Sequence, residues 1–249
     1  MIAGPAHFAA HIAAAVMLAA PVVLAAGDET VVVGDFSHAI PGPAPPAQWM
    51  PVTFPRIERH TRYAVIRDGQ AGVVVCAEAD ASASGLARRL DIPATARPML
   101  RWRWKAQNVL AKGDVTRKDG DDYPTRVYVS FKYSPERLSV AARLQYATAR
   151  VLYGEYPPHA VLTYAWDTRA PVGTMVPNVF SDRSRMIVVE SGTARLGQWL
   201  AYERDVAADY RRAFGEEPPP ISGIAIMTDA DNTGETASAC YGDIVLAPR

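Results

Sequence analysis

The chain has 249 residues, 49% of them apolar, with 26 basic and 26 acidic side chains and only two cysteines. That length and apolar content favour one globular domain with a sizeable core. The balanced charge gives no long-range field toward nucleic acid or an anionic membrane, so any electrostatic recognition must be local.

The first 26 residues contain no Lys, Arg, Asp or Glu, and residues 12–26 form an apolar run broken by Pro21. A membrane-spanning helix needs about 20 apolar residues, which this run does not reach. The small residues around Val23-Leu24-Ala25 offer a cleavage site, although the usual positive charge near Met1 is missing. The segment reads as a signal peptide over 1–26. The mature chain, 27–249, is then expected to be one domain of a periplasmic or secreted protein, with no transmembrane helix.

A first short strand is expected at 30–36, followed by a proline-rich connection. Residues 49–57 are extended but carry Pro51 and Pro55, which lack the ladder donor and so point to a sheet edge. Arg62–Arg67 and Ala71–Ala79 flank Asp68-Gly69-Gln70, a hairpin signal. From 99 to 106, Leu100, Trp102, Trp104 and Ala106 alternate with Arg101, Arg103 and Lys105. This period of two predicts a strand with one buried and one cationic face. Residues 125–132 repeat the pattern, with Arg126, Tyr128, Ser130 and Lys132 on the polar side, after a loop carrying Asp119, Asp121 and Asp122.

Ser134-Pro135-Glu136 is patterned as the start of a helix that ends before Gly154. Strands resume at 160–166 and 185–191, and Ala207–Phe214 reads as a short helix stopped by Gly215. A final hairpin joins 221–229 to 239–246. About ten strands and one or two short helices make a mainly β, two-sheet, jelly-roll-like sandwich the expected fold. Cys76 and Cys240 fall in strand-like segments. An exported protein would permit them to pair, and two small buried hydrophobes are the plainer alternative.

The stretches T-R-Y-A-V, S-A-S-G-L, L-R-W-R-W-K, G-D-D-Y-P-T-R-V-Y-V-S-F, W-L-A-Y-E-R-D-V-A-A-D-Y and I-A-I-M-T-D-A-D-N-T-G-E cover nearly all of the mature chain. In them the sequence resembles the bacterial family known as domain of unknown function 3047. The resemblance implies an exported protein and carries no established activity. More distantly, the tail resembles the closing strands of jelly-roll carbohydrate-binding modules, which bears on architecture more than function.

No H-E-x-x-H, Walker loop, dinucleotide glycine fingerprint or G-x-S-x-G elbow occurs, so no cofactor is expected. Asp229, Asp231, Thr233 and Gly234 match the start of a calcium loop, but Cys240 stands where the bidentate Glu belongs. That excludes an EF-hand and leaves an irregular calcium site at Asp229 and Asp231, or a polar turn, as the readings. If the strands at 99–106 and 124–132 are neighbours, Arg101, Arg103, Lys105, Arg126 and Tyr128 share one polar face beside Asp121 and Asp122. Such a face suits a glycan or another cell-envelope ligand, with arginine forks on carboxylates or hydroxyls. The alternative is a polysaccharide lyase using Tyr128, or a glycosidase pairing Asp121 or Asp122 with Glu190 or Glu203. Arg126 is expected to bridge to Asp121 or Asp122.

Overall fold

The computed structural model describes residues 29–137, 143 and 157–249. Residues 1–26, read above as a signal peptide, and most of the helix expected after Ser134 lie outside the described residues. Of that helix, a 3-10 turn at Pro135–Arg137 is described.

Thirteen strands are described, against about ten expected, and they form two sheets. Sheet A runs β11 (Leu200–Asp205), β6 (Met99–Ala106), β13 (Thr236–Ala247), β4 (Gly72–Asp80) and β3 (Arg62–Asp68), with β1 (Val31–Gly34) also pairing β13. Sheet B runs β2 (Met50–Val52), β5 (Ala83–Ile92), β12 (Ile221–Asp229), β7 (Arg126–Phe131), β8 (Val161–Asp167), β10 (Ser181–Ser191) and β9 (Met175–Asn178). This is the expected two-sheet, jelly-roll-like sandwich. One pair departs from the antiparallel pattern, since β10 lies parallel to β8. The three-residue β2 forms one edge of sheet B, where Pro51 costs least.

Alternation decides what is buried. Leu100, Trp102, Trp104 and Ala106 of β6 and Val127, Val129 and Phe131 of β7 all join one core between the sheets. Trp102 packs 5.2 Å from Tyr164 of the opposite sheet and 5.4 Å from Tyr202. Tyr241 of β13 ties the layers with hydrogen bonds, donating to the Met227 carbonyl at 2.7 Å and lying 2.9 Å from the Thr228 hydroxyl.

Local chemistry fixes the ends. In the β3–β4 hairpin the Asp68 carboxylate accepts the N–H groups of Gln70 and Ala71 at 2.9 and 3.0 Å, closing the tip. Helix α1 (Val206–Phe214) starts with Asp205 accepting the Ala208 N–H at 2.9 Å and stops at Gly215, whose φ of 71° is left-handed. Cys76 and Cys240 stand directly opposite on β4 and β13 and form a disulfide, with Cα atoms 4.0 Å apart.

Candidate functional site

The cationic strands are not neighbours. β6 belongs to sheet A and β7 to sheet B, so Arg101, Arg103 and Lys105 lie on the opposite outside of the sandwich from Arg126 and Tyr128. The period of two assigns each strand a polar face but no partner. The loop 107–125 is long enough to carry the chain from one sheet to the other.

That loop folds back over the outer face of sheet B. Its Val115 and Tyr123 pack on Ala165 and Met186. Glu235 accepts the backbone N–H groups of Ala111 and Lys112 at 2.8 and 2.9 Å. Asp122 likewise accepts those of Asn232 and Thr233 at 3.3 and 2.6 Å, stitching the loop to the β12–β13 turn.

Under the loop lies Arg126, only 4% exposed. One terminal nitrogen donates to Asp229, and the other is 3.7 Å from Asp121. The predicted bridge to Asp121 therefore forms, with Asp229 as a closer partner. The guanidinium carbon sits 4.7 Å and 5.5 Å from the ring centroids of Tyr123 and Tyr128. Burial opposes the charge on Arg126, but Asp229 and Asp121 outweigh it and hold the guanidinium protonated. Burial pushes the Asp229 carboxyl well above the usual range, with Arg126 pulling the other way and Asp122 and Asp121 adding to the rise. Asp121 is raised for the same first reason, and Asp231 by burial and then by Asp122.

Asp122, Asp229 and Asp231 each place one oxygen within 4.8 Å of the others. This brings together the two residues expected for calcium and adds Asp122, over a hundred positions away in sequence. The three could offer oxygens to a hard cation. However, both oxygens of Asp122 already accept backbone N–H groups, and those of Asp229 bind the Tyr123 N–H and Arg126. Arg126 is the cation that this centre visibly holds.

Outside the buried centre, register draws one continuous row across sheet B: Met50, Ala87, Ala225, Tyr128, Thr163, Met186 and Val176. Flanking rows place Gly85 beside Met227 and Gly223 beside Ser130. The small residues of β5 and β12 floor a shallow trough between half-buried Tyr128 and Met50, which is 49% exposed. At strand spacings near 4.8 Å the backbones carrying Met50 and Tyr128 run about 14 Å apart. The Tyr128 hydroxyl lies 3.5 Å from the Met227 sulfur.

The two glutamates considered as partners of Asp121 or Asp122 in glycoside hydrolysis are held by other groups. Glu203 pairs with Arg101 on the outside of sheet A. Glu190 accepts the Tyr202 hydroxyl at 2.6 Å and pairs with Arg195 at 2.9 Å. A depression of about 480 Å³ opens at the start of β3, but its charges neutralise one another, Arg59 with Asp80 at 2.5 Å and Arg62 with Glu78 at 2.8 Å.

Fold and centre define a jelly-roll-like β-sandwich with a buried arginine–carboxylate cluster on one sheet. The chain belongs to DUF3047, a family described as protein of unknown function, whose model matches residues 47–245. No curated protein matches it in sequence. Among solved structures it is similar to the family 11 carbohydrate-binding module of a cellulosomal cellulase from Clostridium thermocellum, at 11% identity over 90% of this chain and 96% of that one, with a TM-score of 0.45. It is also similar to the K3 cleaved adhesin domain of Lys-gingipain from Porphyromonas gingivalis (11% identity, 89% and 100% covered, TM-score 0.40). A third is the xyloglucanase domain of a type three effector from Sinorhizobium fredii (9% identity, 89% and 99% covered, TM-score 0.40).

Proposed function

We propose that the protein is an exported, noncatalytic binder of a glycan, and that the outer face of sheet B is its binding face. The observation that carries the reading is the row Met50–Ala87–Ala225–Tyr128, two methyl-sized floor positions between an exposed methionine and a tyrosine whose ring has the Arg126 guanidinium 5.5 Å from its centroid. A sugar ring has an apolar face that stacks on an aromatic ring and a hydroxyl rim that hydrogen-bonds at its edges. Here Tyr128 supplies the ring, while the linked hydroxyls of Ser130 and Ser222, 3.0 Å apart, supply polar edge groups. Export is supported by the apolar leader and by the Cys76–Cys240 disulfide, a bond suited to an oxidising compartment. Catalysis gains no support, because among the described residues the row from Met50 to Tyr128 holds no carboxylate and burial raises the Tyr128 phenol well above its ordinary range.

The test is calorimetric titration of the protein with neutral and acidic oligosaccharides, alongside Ala225→Trp and Tyr128→Ala. Ala225→Trp fills the trough from the solvent side and is expected to abolish the binding of neutral oligosaccharides without lowering the melting temperature. Neutral-oligosaccharide binding that survives Ala225→Trp unchanged, or a panel in which no saccharide binds, refutes the reading.

A further inference from the structure

We propose that the outer face of sheet A carries a second ligand site, in which Arg103 and Trp199 take a sugar ring bearing an oxyanion group. This site is independent of the trough on sheet B.

Of the five tryptophans, Trp49, Trp102, Trp104 and Trp166 are exposed by 5% or less, whereas Trp199 is only partly buried. Its position is fixed. The indole N–H donates to one oxygen of Asp68 at 3.1 Å, and the other oxygen of Asp68 takes the Lys105 ammonium. The Lys105 nitrogen and the Arg103 guanidinium carbon lie 5.1 and 5.5 Å from the indole centroid.

Arg103 is seated as well. A Cβ at Gly242 would fall 2.3 Å from its Nε, so the guanidinium lies against bare backbone of β13. Nη2 donates to the Ala71 carbonyl at 3.1 Å. Arg101 and Lys105, its neighbours on β6, are neutralised by Glu203 and Asp68. Among the described residues Arg103 has no carboxylate partner, and its Nη1 makes no hydrogen bond.

Holding the hairpin tip accounts for Lys105 and for the Trp199 N–H. It leaves the charge and the second fork nitrogen of Arg103 unused. An oriented guanidinium with an open nitrogen, beside an aromatic ring, matches an oxyanion carried on a ring with an apolar face. A uronate carboxylate and a sugar phosphate share this chemistry.

The full chain is titrated with galacturonate, galactose 6-phosphate and galactose, read by calorimetry and by acrylamide quenching of the accessible tryptophan. At least one anionic sugar should bind and shield Trp199, and galactose should not. The two anionic arms identify the source of the oxyanion. Arg103→Met should weaken that binding roughly 10- to 100-fold, the range for a hydrogen bond to a charged group. It breaks no ion pair, so its melting temperature should match wild type. Gly242→Ala, which displaces the guanidinium without removing it, should weaken binding in the same direction and serves if Arg103→Met fails to fold. Ala225→Trp should leave this binding intact, and Arg103→Met should leave any trough binding intact, so each site fails separately. Unchanged affinity in both Arg103→Met and Gly242→Ala, equal shielding by galactose, or no binding of either anionic sugar overturns the proposal.

Discussion

Removing the Arg126 cation while keeping its volume, as in Arg126→Met, tests whether the centre under the 107–125 loop is built on charge. The wild-type side chain is 4% exposed and lies between Asp229, 1% exposed, and Asp121, 7% exposed. An exposed pair would be worth about 1 kcal/mol or less. Here the loss strands buried carboxylates, and the cost of breaking a buried pair is about 3–5 kcal/mol. For a chain of this size that lowers the melting temperature by roughly 10 °C.

The pH dependence has a definite sign. Asp229 already has a folded pKa above its unfolded one. Such a group contributes stability that is present below the unfolded value, near 3.9, and lost as pH rises through the folded value. Without Arg126 the folded value moves higher, so the deficit should grow between pH 5 and pH 7.5. Urea denaturation at the two pH values measures it, with Arg126→Met/Asp229→Asn as the companion. The double variant should recover much of the loss at pH 7.5, because it removes the stranded charge. A cost below about 1 kcal/mol, or a double variant worse than the single, would refute the buried-charge argument.

Reduction of Cys76–Cys240, which closes 164 residues of sequence, should lower the unfolding free energy from urea denaturation by up to about 5 kcal/mol in the chain-entropy picture, and the urea midpoint with it. An identical midpoint with and without reductant would show that the bond adds no stability. Asp68 is held well below the usual carboxylate range first by Lys105, and then, against burial, by the Gln70 N–H, Trp199 and the Ala71 N–H. Its contribution is therefore present above pH about 4 and lost as pH falls through the folded value. Acrylamide quenching of Trp199 should rise at a higher pH in Lys105→Met than in wild type. Coincident titrations would contradict the role given to the ammonium.

What the sequence makes legible is local. The alternation at Leu100–Ala106 and Val127–Phe131 states which side chains are buried, and the core agrees. Arg126 and Asp121 are five residues apart, close enough for their bridge to be foreseen. Asp229 is 103 positions from Arg126, and nothing in either segment announces the other. The sheet assignment of β6 and β7 was illegible for the same reason, since a half-buried strand is patterned alike in either layer. The parallel β8–β10 pair leaves no trace because period-two patterning carries no direction. Strand β9 spans only four residues and includes Pro177, too little to signal a strand. Trp199 precedes β11 and belongs to no alternating run, so its place on the outer face shows only through its partners Asp68, Arg103 and Lys105.

The placement of β13 governs the order in which the molecule can assemble. It lies between β4 and β6 and also pairs β1, so three of the pairings of sheet A depend on it. Until residues 236–247 are available, β4 has only its hairpin partner β3, and β6 only β11. Sheet B needs none of these residues, and its β9–β10 and β7–β8 pairings are comparatively local. A chain emerging from its N-terminus can thus complete one layer while the other stays open along a row of unpaired backbone groups. Closure of that row brings Cys240 opposite Cys76, so oxidation records that the last strand has docked in register.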